Sequence, residues 1–122
     1  MILVDTSIWV DHLNETDPHL EELLNMGLVR MHPFVVGEIA LGKLRKRSQL
    51  LAGLNGLETA TLVSDADVVV AISALALDGT GVGYVDAHLL LSARLDDLKL
   101  WTSDKRLAAQ AERLGVQYNA IQ

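Results

Sequence analysis

The chain has 122 residues, half of them hydrophobic, no cysteine, and a formal net charge of −6 from 16 acidic and 10 basic side chains. That suffices for one domain, residues 1–122, around a single core; it excludes disulfides and thiolate metal sites and argues against a generic nucleic-acid-binding surface. No apolar run approaches the roughly 20 residues of a membrane span, and the start lacks the basic region of an export signal, so a cytoplasmic protein without membrane contact is expected.

Ile2-Leu3-Val4-Asp5 reads as a short strand, because strands covered on both faces of a parallel sheet are continuously apolar. Asp17-Pro18 has the form of an N-cap with proline at the first helical position; Leu20, Leu23 and Leu24 form an apolar stripe, and Gly27 suits the stop. Leu28 to Met31 follows as a second strand. His32-Pro33 opens another helix, expected to carry Phe34, Val35 and Leu41 inward and to pause at Gly42. The basic run Lys43-Leu44-Arg45-Lys46-Arg47 leads into Leu50, Leu51, Leu54 and Leu57. Val68-Val69-Val70 favours strand locally, but the long apolar stretch from Val63 to Leu77, with its alanines and a capping Ser64, favours a buried helix. Gly79, Gly81 and Gly83 mark a loop before a helix from Val85 to Asp96, with Leu89, Leu90 and Ala93 inward and His88, Ser92 and Asp96 as a polar stripe. Leu98 to Ser103 is a strand. Leu107, Ala111 and Leu114 line a helix ending at Gly115, and Val116-Gln117-Tyr118 suits a last strand. Short strands alternating with helices give an α/β fold on a parallel sheet.

Four carboxylates stand out from this pattern. Asp5 and Asp104 each close an apolar strand, so in a parallel sheet they meet at one carboxyl edge, where such folds bind ligands. Either alone is equally well an N-cap. Glu38 has Phe34, Val35, Leu41 and Gly42 as its helical neighbours, and Asp86 has Val82, Gly83, Leu89 and Leu90, which places both acids on apolar faces. Two unit charges about 4 Å apart repel by about 4 kcal/mol at an effective dielectric near 20. Several such pairs rival the ~5–15 kcal/mol that stabilises a domain, so convergence demands protons or a divalent cation. Oxygen donors without cysteine or paired histidines suit Mg²⁺ or Mn²⁺, and such a cation works on phosphate esters.

Asp5-Thr6-Ser7 behind a strand, Glu38 in an early helix, Asp86-Ala87 opening a later one and Thr102-Ser103-Asp104 after the next strand resemble the PIN-domain nucleases. The opening MILVDTSIWVDHL resembles in particular the VapC-type toxins of bacterial toxin–antitoxin pairs. The ordered set runs over nearly the whole chain, while residues 44–80 match in general character only. The resemblance implies a three-layer PIN-like fold with a short, mainly parallel central sheet flanked by helices. It further implies a Mg²⁺- or Mn²⁺-dependent endoribonuclease hydrolysing RNA phosphodiester bonds with a metal-activated water, restrained by a cognate antitoxin protein and often a homodimer. Carried over by position, Asp5, Glu38, Asp86 and Asp104 form the catalytic site. Asp5, Asp86 and Asp104 touch metal directly or through water; for Glu38 two roles stay open, metal ligand or positioner of the attacking water. Thr6, Ser7 and Thr102 offer hydroxyls that orient the carboxylates. Thr6 and Ser7 equally suit capping of the first helix, the role expected of Ser7.

Lys43, Arg45, Lys46 and Arg47, four of the ten basic residues, are candidates for RNA phosphate contacts that would offset the acidic balance; a solvated face or an antitoxin contact fits them too. Asp11, Asp65, Asp67, Asp96 and Asp97 read as solvated, and the histidines lack metal-ligand spacing, His88 alone lying close to an acid. Trp9 and Trp101 read as core or dimer contacts. Two other functions compete. A receiver-type signalling module needs a phospho-accepting Asp on a middle strand, and residues 50–62 contain none. A non-catalytic PIN-like adaptor for RNA or protein retains the acids unused.

Overall fold

Three short strands, β1 (Ile2–Val4), β2 (Val29–Arg30) and β3 (Lys99–Trp101), pair side by side in the order β2-β1-β3, all parallel. The computed structural model describes residues 1–119, and the last residues of the expected 1–122 domain, 120–122, lie outside the described residues. Single parallel bridges, Met31 to Thr59 and Leu100 to Gln117, extend the sheet at both edges. The last strand expected at Val116 to Tyr118 is thus one bridge.

Seven helices flank the sheet among the described residues: α1 (Thr6–Asn14), α2 (Pro18–Asn25), α3 (Pro33–Ala40), α4 (Arg47–Asn55), α5 (Asp65–Ala74), α6 (Tyr84–Asp96) and α7 (Lys105–Arg113). Several begin where the sequence signals a start. The Asp17 side chain accepts from the N–H groups of His19 and Leu20 ahead of Pro18, and Ser64 accepts from Asp67 N–H. His32 caps α3 through its ring, accepting from Phe34 N–H. Gly27 and Gly115 follow α2 and α7 with positive φ, +70° and +76°, the left-handed backbone that ends helices at glycine.

Leu3, Val4, Leu20, Val35, Leu89, Leu90, Leu100 and Leu107 are fully or almost fully buried in one core on both sides of the strands. Trp9 and Trp101 belong to it. A smaller cluster, Val68, Ala87 and Leu91, forms where α5 packs on α6. No described helix is long and apolar enough to cross a membrane.

The structure corrects several expectations about which face is covered. Helix α5 is present, but it is half exposed rather than buried: Val68 is enclosed while Val69 and Val70 are 58% and 68% exposed. On α3 the buried residues are Val35 and Ile39, whereas Leu41 is 89% exposed and Phe34 sits at the surface. Almost every residue of that helix is apolar, so periodicity does not mark its inner face. In α6 the expected polar stripe fails at two of three positions: His88 and Ser92 are buried, because α5, β3 and α7 all pack on this helix and the Phe34 ring lies against His88.

Leu3→Ala is expected to destabilise the protein by about 2–5 kcal/mol and Leu41→Ala to stay within about 0.5 kcal/mol of the parent, as read by urea denaturation. Equal losses would contradict the assignment of the inner face.

Candidate functional site

The register of β1 against β3 builds the centre of the site. Leu3 pairs with Leu100 and Val4 with Trp101, and Asp5 N–H donates to Trp101 carbonyl at 2.9 Å. One residue further on, the side chains of Asp5 and Thr102 meet: Thr102 Oγ1–H donates to Asp5 Oδ2. Ser7 Oγ–H donates to the same oxygen at 2.8 Å and accepts from Ser103 N–H at 3.1 Å. Asp5 is 5% exposed, so these hydroxyls replace the water it lost. It stands at the N-cap position of α1 but makes no side-chain cap hydrogen bond. The capping alternative therefore fails for Asp5. It fails for Ser7 as well, which ties the ends of β1 and β3 together instead of closing the helix.

Asp104 divides its work. Oδ1 accepts from Arg106 N–H and Leu107 N–H at 2.9 and 3.0 Å, a true N-cap of α7. Its own N–H donates to Thr102 Oγ1 at 3.0 Å, so Thr102 joins both strand-end acids. Asp86 lies in the first turn of α6 and accepts from Gly83 N–H, the residue before the helix, as an acid at the third helical position does in a capping box. Glu38 arrives from α3, with Oε1 accepting from Thr6 Oγ1–H at 2.7 Å. Thr6 thus orients an acid rather than capping. Glu38 is exposed; its placement on a core-facing stripe was an error with the same cause as that of Phe34 and Leu41.

Asp86 reports that the acids share one field. Burial, followed by repulsion from Asp5, Asp104 and Glu38, raises its pKa to about 6, and the Gly83 hydrogen bond only partly offsets this. No cation is among the groups acting on it, and the ion pairs of the described residues, Arg30–Glu58 and His88–Asp65, lie elsewhere. No three acidic or imidazole groups form a ready-made metal cage among the described residues. An oxygen-only set that couples without closing fits Mg²⁺, which keeps several waters and takes one or two carboxylates plus substrate oxygens.

Lys43 and Arg45 line a groove of about 420 Å³ that contains Glu38 and is floored by Val10, Leu13, Ile39 and Leu50. Lys46 and Arg47 lie beyond it at the start of α4, and all four basic residues are exposed. Arg47 spends one N–H on Ala40 carbonyl. His88 does not join the acids of the site; its Nε2 meets Asp65 Oδ1 at 2.9 Å, and Tyr84 O–H donates to the same oxygen at 2.7 Å. Asp65, read from sequence as solvated, therefore has partners. That link joins positions far apart along the chain, and no local pattern announces it.

The model of the PIN domain family matches residues 2–113, a span that holds all four acids. Over 117 residues the chain is 42% identical to Ribonuclease VapC32 of Mycobacterium tuberculosis, in strains CDC 1551 / Oshkosh and ATCC 25618 / H37Rv, covering 95% of this chain and 94% of that protein. The crystal structure of PAE2754 from Pyrobaculum aerophilum has the same fold, with a TM-score of 0.65 over 95% of this chain and 96% of that one at 17% identity.

A raised carboxyl pKa has a definite sign in stability. Between about pH 4 and 6 the folded protein holds a proton on Asp86 that the unfolded chain has released, so this residue's contribution falls as pH rises through that window. His32, lowered to about 4 by burial and then His88, works in the opposite sense but is common to parent and variant. In chelator, Asp86→Asn is therefore expected to gain melting temperature relative to the parent as pH rises from 4 to 6, with no further gain above. A constant difference across that range would refute the shared field.

Proposed function

Because the chain belongs to the PIN-domain family, we propose that it is a single-domain endoribonuclease, dependent on Mg²⁺ or Mn²⁺, and the toxin of a toxin–antitoxin pair. The observation that carries the reading is the elevated proton affinity of Asp86, imposed by burial and by three other acids without a nearby cation. Likeness to a protein named Ribonuclease VapC32 supports RNA as the substrate. The VapC type brings with it a cognate antitoxin and a cytoplasmic setting.

The bound cation would neutralise the acids, polarise a phosphodiester oxygen and make a water acidic enough to attack. Asp5, Asp86 and Asp104 would hold it. Asp5 offers Oδ1, since both hydroxyls act on Oδ2, and Asp104 offers Oδ2, since Oδ1 caps α7. Thr102 fixes the spacing of this pair through its bonds to Asp5 and to Asp104 N–H. Glu38, pinned at Oε1 by Thr6, keeps Oε2 to orient the attacking water or to complete the ligand set. Lys43 and Arg45 lie along the groove from Glu38 and would hold RNA phosphates to one side of the cleaved bond, with Lys46 and Arg47 extending the path.

A homodimer is part of this proposal. Val70 and Leu95 stand exposed on α5 and α6 beside an open apolar groove of about 520 Å³ that also takes in Ala71 and Leu91. A concentrated exposed patch of this kind marks an association surface. Val70→Asp is expected to leave only monomer in sedimentation velocity runs where the parent sediments as a dimer; a monomeric parent would remove this part of the reading.

Purified protein is expected to cleave structured RNA with Mg²⁺ or Mn²⁺ and not in chelator. Asp5→Asn should lose about 100-fold or more, and Thr102→Ala about 10–100-fold, the range for a group that orients a metal ligand, both with unchanged circular dichroism. Lys43→Ala with Arg45→Ala should raise KM and leave kcat nearly intact. Undiminished cleavage by Asp5→Asn, or cleavage in chelator, would overturn the catalytic assignment.

A further inference from the structure

A cavity of about 310 Å³ opens between the start of α3, the start of α5 and the first turns of α6. His32, Phe34, Leu62, Asp65 and His88 are on its walls. We propose that this cavity takes up a guanine of the RNA substrate, with His32 Nε2–H and the Asp65 carboxylate reading the base edge and Phe34 stacking on its face. The proposal rests on the ribonuclease reading for its substrate class, but the pocket is argued from its own atoms.

His32 carries the argument. It is 1% exposed, and its Nδ1 accepts from Phe34 N–H at 3.0 Å. A neutral imidazole has one donor and one acceptor nitrogen, so the cap places the proton on Nε2. Burial and the neighbouring His88 bring the pKa to about 4, which keeps the ring neutral at physiological pH. Yet Nε2 has no hydrogen-bond partner among the described residues. A buried donor left unmade is costly and uncommon. His32 lines the cavity, and an acceptor that enters it would complete this donor.

Asp65 supplies the complementary character. Its Oδ1 accepts from Tyr84 O–H and from His88 Nε2, and these bonds, Tyr84 first, hold its carboxyl below the ordinary aspartate range. The side chain is otherwise exposed at the mouth, with Oδ2 available. The pocket thus pairs one fixed donor with a carboxylate acceptor. Among the RNA bases guanine alone sets a carbonyl acceptor, O6, beside two donors, N1–H and the 2-amino group, on one edge. Uracil offers a single donor, and adenine and cytosine present an amino donor where guanine presents O6. Recognition of an unstacked base by its Watson–Crick edge and an aromatic face is the usual mode for single-stranded RNA.

Phe34 provides that face. It is the chain's one phenylalanine, it remains 37% exposed, and its ring lies 4.7 Å from His88 and 5.0 Å from His32 between centroids. The volume is at the small end for ligand sites, room for one planar base and not for a chain of them. Position joins the cavity to the chemistry. Phe34 precedes Glu38 by four residues on α3, a separation of about 6 Å along one helix face, and this is the link between them. A base seated here would hang from a nucleotide next to the cleaved bond.

The test is binding without turnover, in the intact protein with chelator present, read by proton–nitrogen NMR and calorimetry with the four ribonucleoside monophosphates and inosine monophosphate. GMP is expected to bind about tenfold or more tightly than AMP and CMP, with inosine monophosphate, which lacks the 2-amino group, in between and shifts centred on His32 and Phe34. His32→Asn keeps an oxygen to cap α3 and removes the Nε2 donor; Asp65→Asn changes an exposed side chain that cannot unfold the core. Each should bring GMP down to the level of AMP, with melting curves confirming the fold. Equal binding of all nucleotides, no saturable shift at His32 or Phe34, or a guanine preference that survives Asp65→Asn would overturn the proposal. Selective GMP binding by a protein that cleaves no RNA would keep the pocket and sink the nuclease reading. Metal-dependent cleavage without guanine selectivity would do the reverse.

Discussion

Mutual repulsion among four carboxylates is the constraint around which this molecule is arranged. Asp5, Glu38 and Asp104 all raise the proton affinity of Asp86, and no basic side chain enters to relieve it. The fold tolerates the concentration because backbone provides positive potential in the place of side chains. Asp5 and Asp104 stand at the N-cap positions of α1 and α7, and Asp86 in the first turn of α6. Each helix start carries roughly half a positive charge and several unpaired N–H groups. Two of these ends, those of α1 and α7, reach one place because β1 and β3 are parallel neighbours in register, so the chain leaves both strands at the same edge and turns into a helix both times.

The partners given to the acids follow a consistent rule. Asp5 receives hydroxyls from Ser7 and Thr102, Glu38 one from Thr6, Asp104 backbone N–H groups. A lysine or arginine in any of these places would satisfy the acid more strongly, and would also cancel the negative field of the cluster. Neutral donors fix geometry while leaving charge unspent. The hydroxyl links also cross between elements far apart in sequence, α1 to α3 and β1 to β3, so the same bonds that orient the site hold its walls together.

The sequence disclosed the acids by where they interrupt apolar runs. Asp5 after Ile2-Leu3-Val4 and Asp104 after the strand at Leu100-Trp101 were legible because strand ends in a parallel sheet share one edge, and so were the starts at Asp17-Pro18, His32-Pro33 and Ser64. What stayed illegible depended on covering. Glu38, Phe34 and Leu41 are set in a helix so uniformly apolar that its outer face looks like an inner one. His88 and Ser92 have polar side chains at solvent-like spacing on α6, yet they are buried because the chain packs on several sides of that helix. Periodicity reports which residues differ from their neighbours; it does not report how many sides of a helix the rest of the chain will occupy. The bonds from Tyr84 and His88 to Asp65 were hidden for a related reason. They are made between two helices, α5 and α6, and no interval in the sequence encodes them.

Helices α3 and α6 each serve two purposes within a few residues, and this shapes what each can be. On α3, His32 ends the strand segment, caps the helix and stays neutral under the core, so a residue able to accept from backbone with one atom and donate with another is required. Serine or aspartate would cap as well and would offer nothing on the far side. On α6, Tyr84 and His88 face Asp65 while Asp86 between them faces the acids. Buried polar groups without partners are rare in natural proteins because a better-packed alternative is close at hand in sequence space. Keeping one at the head of the helix that also carries Glu38 makes sense if the missing partner arrives from outside. On the proposed function the unsatisfied donor and the unsatisfied acids would share one explanation: the same polymer would complete both, its phosphate meeting the carboxylates through a cation and its base meeting the imidazole directly.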